Sequence, residues 1–365
     1  MTLRILHTES SLGWGGQEIR VLTEAHGVAR AGHEVMLAAP REARIFAEAP
    51  RFGVPVTAAA IARKGARGFL AMRRVIASGA FDVVNTHSST DSWLAALACA
   101  TLGNPPVLVR TRHISAPLPR NRATRWLYGR SARIVTTGER LRAQVIEEAG
   151  VDPSRVVSVP TGIDLDRYRH GDRLAARAAL GLRADAKIVG IVATLRSWKG
   201  HSYLLKAVAA MRRPEVLLAV VGDGPQRAAL EQLAATLGIA EQVRFAGNQA
   251  DVTPWLSAFD VFCLPSYANE GVPQALMQAM ACALPVITTP VGSIDEIVEA
   301  EVTGIVVPPQ NEVRLRVEIS KLLDDAERRR ELGAAARERA RAGFGEALMV
   351  ERMVAIFNDA VVHRG

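Results

Sequence analysis

Cysteine is scarce in this chain: its 365 residues include only three, Cys99, Cys263 and Cys282. They are widely spaced, and each lies in apolar sequence. This spacing fits neither a set of disulfides nor a zinc site. We therefore interpret all three as reduced thiols of a core and expect no structural metal.

Long hydrophobic runs are absent as well. The longest, at residues 93–102, is too short to span a bilayer, and the apolar start at residues 1–6 is too short for a signal peptide. Low-complexity tracts and short internal repeats are also missing. We therefore expect a folded protein that is made and kept in the cytoplasm.

Length and apolar content are what the chain does have. With 365 residues, 49% of them apolar, it exceeds what one core usually serves, so two domains are expected. Strand-like runs alternate with helical patterns, and the alternation restarts after residues 160–164. The predicted strands are 4–7, 34–38, 54–57, 83–86, 107–111, 134–137, 156–159, 187–192, 217–221, 243–246, 261–264, 286–288 and 305–307. This repetition predicts an α/β protein of two doubly wound domains facing a cleft.

Positive charge is concentrated in the first half of the chain. Residues 1–175 hold 24 Lys and Arg against 15 Asp and Glu, whereas the remainder is nearly balanced, and the net charge is +8. Nine arginines crowd the stretch from Arg110 to Arg142, which also contains Trp126 and Tyr128. Such a stretch could serve an anionic membrane surface, an anionic acceptor or nucleic acid, or be a solvated helix face.

Residues 265–293 contain the most informative pattern. A strand leads into a turn with Glu270, then into an apolar helix whose polar exception is Gln278, and a second strand follows. The N–H groups near Gly271 and Val272, at the start of that helix, have no intrahelical partner and suit a phosphate. In a parallel sheet, such a unit places its ligand beyond the carboxyl ends of the strands.

This segment resembles the donor-site signature of family 4 retaining glycosyltransferases, PS-x-x-EG-x-P-x-x-x-x-EAMA-x-G-x-PV. The matching residues are Pro265, Ser266, Glu270, Gly271, Pro273, Ala279, Met280, Ala281, Pro285 and Val286. The chain departs from it at Gln278, where the family has a second Glu, and at Ala283-Leu284, where it has Gly. Gln278 retains the capacity to hydrogen-bond hydroxyl groups.

The resemblance implies the GT-B fold. It predicts an acceptor-binding Rossmann-like domain at residues 1–165 and a Rossmann-like domain for the nucleotide-sugar donor at residues 166–345. It also predicts a C-terminal helix within residues 346–365, near 347–361, that crosses back to the first domain. In the family, the first Glu of the signature, here Glu270, lies beside the transferred sugar, and the second, here Gln278, holds the nucleotide ribose.

Further loops of the second half carry the resemblance. Arg196 and Lys199 follow a strand and open a helix, and their family counterparts neutralise the diphosphate. Gly222 and Gly224 match the family's G-x-GP loop near the nucleotide. Ala246 lies in the segment beside the base. With Glu270, Gly271, Val272 and Gln278, and with Gly15 and Gly16 of the first half, these residues make up the predicted donor site.

In the first half, Gly15 and Gly16 lie between a strand and a helix, where glycines let the backbone approach a ligand. Their spacing is not a dinucleotide fingerprint and resembles the family's GG-x-E loop. His113 follows a strand, and the resemblance gives it a bond to the donor sugar or its phosphate, as one of the catalytic residues with Glu270, Arg196 and Lys199. His87 and Arg112 are predicted on the acceptor side.

The resulting prediction is a metal-independent retaining glycosyltransferase without a cofactor, whose donor is a nucleotide sugar such as a UDP or GDP sugar. Asp164-Leu165-Asp166 is interpreted as a turn cap and not as a metal site. A saccharide or lipid-linked acceptor in lipopolysaccharide or polysaccharide biosynthesis is expected, with Arg110 to Arg142 contacting the inner face of the cytoplasmic membrane. A nucleotide-sugar 2-epimerase and a non-catalytic nucleic-acid binder are the alternatives, and no nucleic-acid partner is expected.

Overall fold

The computed structural model describes residues 1–268 and 270–363. Its contacts divide the chain into two units, Met1–Gly162 together with the segment that begins at Glu346, and Ile163–Gly345. The division falls three residues before the predicted one at residue 165. Its cause is Ile163, whose N–H donates to the Phe344 carbonyl at 2.8 Å and whose side chain lies in the core of the second unit.

The first unit is built on a seven-stranded parallel sheet. Its strands are β1 (Arg4–Thr8), β2 (Glu34–Ala39), β3 (Val56–Ala58), β4 (Val83–Thr86), β5 (Val107–Arg112), β6 (Arg133–Thr136) and β7 (Val156–Ser158). Its first helices are α1 (Gly16–Arg30), α2 (Arg44–Glu48), α3 (Ala66–Ser78), α4 (Ser89–Ala100), α5 (Arg122–Gly129) and α6 (Glu139–Ala149). The strand order β3-β2-β1-β4-β5-β6-β7 reverses direction between β1 and β4. At such a switch point the loops diverge and leave a crevice for ligands.

The second unit repeats this design with six parallel strands. They are β8 (Lys187–Val192), β9 (Val216–Val221), β10 (Val243–Gly247), β11 (Val261–Leu264), β12 (Val286–Thr288) and β13 (Ile305–Val306). The helices are α7 (Arg173–Ala179), α8 (His201–Met211), α9 (Arg227–Thr236), α10 (Thr253–Ala258), α11 (Gln274–Ala281), α12 (Glu312–Asp324) and α13 (Ala326–Gly343). The order β10-β9-β8-β11-β12-β13 places the switch point between β8 and β11.

The last helix, α14 (Glu346–Val362), packs against α1 in the first unit. Its Met353 and Phe357 are fully buried in that unit's core. A Cβ on Gly27 of α1 would come within 2.3 Å of a Val350 methyl, so glycine permits this close approach. The predicted α/β architecture, including the helix that returns to the first domain, is confirmed.

The cysteines, the helix lengths and the basic stretch were each the subject of a prediction. Cys99, Cys263 and Cys282 are buried free thiols, as predicted, and burial raises the pKa of Cys99 to about 12. Within the described residues, no helix combines the length and apolarity that crossing a membrane needs. Helix α5, which was not predicted, lies inside the basic stretch between Arg110 and Arg142.

Candidate active site

Two loops meet at the switch point of the second unit. One follows β8 and contains residues 193–200, and the other follows β11 and contains residues 265–273. They are joined by a hydrogen bond from the Tyr267 N–H to the Trp198 carbonyl at 2.8 Å. Gly200 has a φ of +77°, and a Cβ there would lie 2.0 Å from the Pro265 carbonyl oxygen. Glycine at this position therefore allows the two loops to touch.

Lys199 and Glu270 form an ion pair across these loops. The Lys199 Nζ donates to both carboxylate oxygens of Glu270, at 2.7 and 2.9 Å, and the Ser266 hydroxyl donates to one of them. The Glu270 side chain is 3% exposed and that of Lys199 is 20% exposed. Because each charge neutralises the other, a carboxylate can stay buried beneath a cation that solvent still reaches.

Arg196 lies three residues before Lys199 and is exposed. Its guanidinium carbon is 5.7 Å from the centre of the Trp198 ring, which is within cation–π range. The loop therefore carries one cation that is bound to Glu270 and a second that faces solvent.

The loop after β9 supports the loop after β8. The Leu195 N–H donates to the Asp223 carbonyl at 3.0 Å, and the Gly222 N–H donates to the Gly247 carbonyl at 2.9 Å. Gly222 and Gly224 have φ values of +133° and +159°, and a Cβ on either would collide with backbone of residues 193–195. Ala246 precedes Gly247 in β10, so the predicted nucleotide-side residues are adjacent.

The loop after β12 completes this edge of the sheet. Gly292 has a φ of +65°, and a Cβ there would lie 2.1 Å from the Glu270 carbonyl oxygen. Helix α11 begins at Gln274, so Gly271 and Val272 lie in the loop before Pro273 and are not helical. Gln278 is half-buried, one turn beyond Gln274 on the same face of α11.

In the first unit, a chain of three histidines crosses the carboxyl ends of β1, β4 and β5. His7 Nδ1 lies 3.0 Å from His87 Nε2, and His87 Nδ1 lies 3.0 Å from His113 Nε2. The rings are stacked. Burial lowers the pKa of His7 to about 3 and lowers those of His87 and His113 well below the usual value. All three rings are therefore neutral near pH 7.

A buried ion pair lies behind this chain. The Glu24 Oε1 atom is 4.0 Å from His7 Nδ1, and its Oε2 is 3.5 Å from the Arg20 Nε. Arg20 also donates to the Val159 carbonyl at 2.8 Å. Burial raises the pKa of the Glu24 carboxyl, while the charge of Arg20 opposes that rise.

His7, Glu24 and His87 offer three ligand-capable atoms within 4.8 Å of one another. The two histidine nitrogens are already at hydrogen-bond distance, and the fixed charge of Arg20 lies beside the carboxylate. The positive charge of Arg20 disfavours binding of a further cation at these three atoms.

A second buried acidic cluster involves Glu9, after β1, and Asp91, in the first turn of α4. Gln17 donates to Glu9 at 2.6 Å, and the Ser11 N–H donates to it at 2.7 Å. Asp91 accepts from the Thr8 hydroxyl at 2.7 Å and from backbone N–H groups that precede α4. Burial raises the pKa of Glu9 to about 7 and that of Asp91 to about 6. The neighbouring charge of Asp91 adds to the rise at Glu9.

The structure revises the acceptor-side predictions. His87 is 4% exposed and both its ring nitrogens face other histidines, so it supports His113 and has no nitrogen left for an acceptor. Arg112 is buried and donates to the Tyr128 hydroxyl at 3.3 Å. Arg110 is buried over the Tyr128 ring. These two arginines therefore cannot belong to a basic membrane-facing surface.

Gly15, Gly16 and Asp164 lie at the start of a helix and in a turn. Gly15 is the N-cap residue of α1 and Gly16 its first residue, with Gly15 in an ordinary extended conformation. Asp164 accepts from the N–H groups of residues 166 and 167, both at 3.0 Å, so the predicted turn cap is confirmed.

Sequence reasoning missed His7, Glu24, Glu9 and Asp91. A signal existed for the first of them, because His7 lies at the end of a predicted strand, and His87 and His113 follow the ends of two others. Glu24 gave none, since it is a polar residue in a helix and becomes buried only through packing against the sheet.

Known proteins resemble this chain along most of its length. A family model for glycosyl transferases group 1 matches residues 172–339, and one for glycosyltransferase family 4 matches residues 14–167. D-inositol 3-phosphate glycosyltransferase 1 of Catenulispora acidiphila is 32% identical over 313 residues, which cover 78% of this chain and 74% of that protein. The D-inositol 3-phosphate glycosyltransferase of Kribbella flavida is 30% identical over 328 residues, covering 81% and 75%.

Solved structures share the fold. A glycosyltransferase from Rickettsia africae superposes with a TM-score of 0.87 at 18% identity, covering all of both chains. Anabaena Alr3699/HepE in complex with UDP superposes with a TM-score of 0.86 at 21% identity, over 98% of this chain and all of that one. The predicted GT-B fold is thereby confirmed. The two family models and the relatives matched over about three quarters of their length make this chain a member of glycosyltransferase family 4.

Proposed function

We propose that the protein is a retaining glycosyltransferase that moves a sugar from a nucleotide-diphosphate sugar to a hydroxyl group of a saccharide or lipid-linked acceptor. The observation that carries this proposal is the ion pair of Lys199 and Glu270 at the switch point of the second unit, with Arg196 exposed beside it. The Anabaena structures in complex with UDP and with UDP-glucose favour a UDP sugar over a GDP sugar.

Charge development explains the need for these residues. Departure of the nucleoside diphosphate builds negative charge, which fixed cations stabilise without the reorganisation that water would require. An ammonium group has three N–H donors. Two of those of Lys199 go to the two carboxylate oxygens of Glu270, so one remains for a phosphate oxygen. Arg196 supplies a second cation from the same loop.

Glu270 would act on the sugar side. Its carboxylate is held by Lys199 and Ser266 in one orientation, so it can position sugar hydroxyls and balance positive charge that develops on the ring. The acceptor hydroxyl would attack from the face that the phosphate leaves and would give its proton to that phosphate, which retains the configuration without a covalent intermediate. No metal step is needed, because the cations come from the chain.

The acceptor is proposed to be anionic or membrane-borne, as in cell-envelope polysaccharide synthesis. Trp126 of α5 is 39% exposed and stacks on Trp93 at 5.8 Å, with Arg130 and Lys64 over the two rings. An exposed indole ring beside cations, such as that of Trp126, suits the headgroup region of an anionic bilayer. This surface replaces the longer stretch from Arg110 to Arg142 as the candidate for peripheral membrane contact at the cytoplasmic face.

The test begins with thermal stabilisation by UDP, GDP and their sugars in a metal chelator, since selective binding raises the melting temperature. The selected donor is then incubated with saccharide and lipid acceptors, and the anomeric configuration of the product is read by NMR. We expect one base to be selected and the anomeric configuration retained. Conversion of the nucleotide sugar without an acceptor would instead indicate an epimerase, and inversion would contradict the mechanism.

Single substitutions test the proposed roles of Glu270 and Lys199. Glu270→Ala should lower kcat by at least about 100-fold while nucleotide binding is largely kept, because its carboxylate acts on the sugar. Lys199→Met should weaken both binding and turnover. Lys206→Met removes an exposed lysine of α8 and should change neither. Equal loss of nucleotide binding and turnover in Glu270→Ala would remove Glu270 from the sugar site.

A further inference from the structure

The three-histidine chain of the first unit runs from a fully buried ring to a half-exposed one. His7 is 0% exposed, His87 is 4% exposed, and His113 is half-buried at the carboxyl end of β5. The Nε2 atom of His7 is buried and has no hydrogen-bond partner among residues 1–268 and 270–363. Between the two ends of the chain, each ring nitrogen faces a nitrogen of the neighbouring histidine: His7 Nδ1 faces His87 Nε2, and His87 Nδ1 faces His113 Nε2.

Counting protons leaves two arrangements. Three neutral imidazoles carry three N–H protons, and each of the two N···N contacts takes one of them. The third proton must lie at an end of the chain, either on His7 Nε2 or on His113 Nδ1. If His87 supplied the proton of both contacts, its ring would be a cation, and if it supplied neither, its ring would be an anion. Its burial opposes either charge. The chain therefore has one direction or the other.

Glu24 selects the direction. Its Oε1 lies 4.0 Å from His7 Nδ1, so a proton on that nitrogen is attracted by the carboxylate. Arg20 is fully buried beside this carboxyl group, and its charge opposes the rise that burial causes in the Glu24 pKa, which favours the ionised form. Asn85 confirms that Oε1 accepts, since its amide oxygen takes the Thr111 hydroxyl proton and its NH2 donates to Glu24 at 3.0 Å.

The opposite arrangement is also penalised at its buried end. It would place an N–H on His7 Nε2, where the buried group has no acceptor among the described residues. Orphaned buried N–H groups are rare in proteins because they lose the hydrogen bond to water. In the favoured arrangement the last N–H lies on half-exposed His113, where water or a ligand can accept it.

We propose that Glu24, His7 and His87 are positioning residues that fix His113 as an Nδ1–H hydrogen-bond donor at the carboxyl end of β5. That the donor is aimed at an oxygen of the bound sugar or phosphate rests on the function proposed above, whereas the direction of the chain does not. One consequence is that His113 cannot act as a general base. Its Nδ1 already holds a proton, and its Nε2 accepts from His87.

The direction can be read from ¹⁵N-histidine NMR of the full chain without any substrate. The Nδ1–H and Nε2–H tautomers of imidazole differ in the shifts and proton couplings of the two nitrogens. The eight histidines are assigned by single substitution. We expect His7, His87 and His113 all in the Nδ1–H form. Nε2–H in His87 and His113 would overturn the proposal, as would zinc that co-purifies stoichiometrically and whose removal changes these signals.

Two variants test the role of Glu24. Glu24→Gln should reverse or mix the tautomers of His87 and His113 and lower kcat/KM for sugar transfer about tenfold. His7→Leu cuts the chain from Glu24 without creating an unpaired charge, so it gives the same readout if Glu24→Gln does not fold. His26→Leu on α1 is the control and should leave the tautomers unchanged. A folded variant that keeps Nδ1–H on His113 would refute the role of the residue replaced.

The tautomers of the histidines and the sugar-transfer activity are measured separately, so each can fail without the other. If the wild-type protein transfers no sugar, the tautomers still report the direction of the chain. If it transfers sugar but His113 is Nε2–H, the enzyme stands and the positioning role falls. A third comparison connects the tautomer of His113 with sugar transfer. The side-chain amide of Asn is isosteric with the Nδ1 side of imidazole, and that of Gln is isosteric with the Nε2 side. His113→Asn should therefore keep more activity than His113→Gln, and the reverse order would contradict an Nδ1–H donor.

Discussion

At the scale of single residues, the buried carboxyl group of Glu9 links the ionisation of this protein to its stability. It is 0% exposed and lies next to Asp91, and burial raises its pKa from 4.5 to about 7. Between those two pH values the folded state holds a proton that the unfolded state releases. The contribution of Glu9 to the free energy of unfolding is therefore largest in acid and falls as the pH rises from about 4.5 to about 7.

Glu9→Gln removes this dependence. The free energy of unfolding of the variant, minus that of the wild type, should rise between pH 5 and pH 8, by at most about 3 kcal/mol for a shift of this size. The buried histidines add a slope of opposite sign below pH 6.5, but it is common to both proteins and cancels in the difference. Urea titrations at several pH values measure it.

The control for this measurement is Glu42→Gln, which changes an exposed carboxylate. Its difference from the wild type should be flat with pH. A flat difference for Glu9→Gln as well would mean that Glu9 is ionised at low cost, with Gln17 and Ser88 compensating for burial.

At the scale of secondary-structure elements, the proposed donor site of the second unit depends on loops that touch through glycines. Gly292→Ala should displace Glu270, because the new Cβ would lie 2.1 Å from the Glu270 carbonyl oxygen. We expect a loss of at least about tenfold in kcat/KM, since a shift of about 1 Å at a reacting group is that costly. Steady-state kinetics with the selected nucleotide sugar measure it.

Gly181→Ala is a matched control for this substitution. Gly181 has the same φ of +65°, and a Cβ there meets nothing within 4 Å. Both variants share the roughly 1–2 kcal/mol cost of a side chain in the left-handed region, so the backbone penalty is equal. An equal effect on kcat/KM would show that backbone strain, and not the contact with Glu270, is responsible.

The alternation of elements could be predicted from the sequence because each strand is an apolar run bounded by turn residues. Val83–Thr86 and Val261–Leu264 are buried throughout and were placed without error. Helix α5 could not be found, because its Arg-rich sequence looks like solvated charge and only Leu127 and Tyr128 reveal a buried face. Periodicity thus locates elements with strong apolar faces and misses short amphipathic ones.

The two candidate sites differ in the same way. Glu270 and Lys199 are 71 residues apart, and their pairing could be approached only through the family resemblance of the two separate loops that contain them. His7, His87 and His113 end strands that turn out to be neighbours in the order β1-β4-β5. Their contact depends on strand order, which one sequence does not state. Glu24 reaches them only because α1 packs over that sheet.

At the scale of the whole molecule, each unit has a hydrophobic core of its own. The core of the second unit draws on residues 163–344, and the cores of the first draw on residues 3–159 and on α14. No described residue belongs to the cores of both units. The last helix is therefore part of the stability of the unit that begins the chain, although more than 180 residues of sequence lie between them.

Phe357→Ala tests this division. The ring of Phe357 is 0% exposed and meets the His7 ring edge-on at 6.2 Å, so its removal leaves a cavity in the first unit at a cost of about 3–5 kcal/mol. Calorimetry should show the transition of the first unit lowered by about 10 °C. Phe262→Ala, in the second core, should lower the other transition, and Val362→Ala, at an exposed site on α14, neither. If Phe357→Ala and Phe262→Ala shifted one common transition, the two units would unfold together and the separation of their cores would not extend to stability.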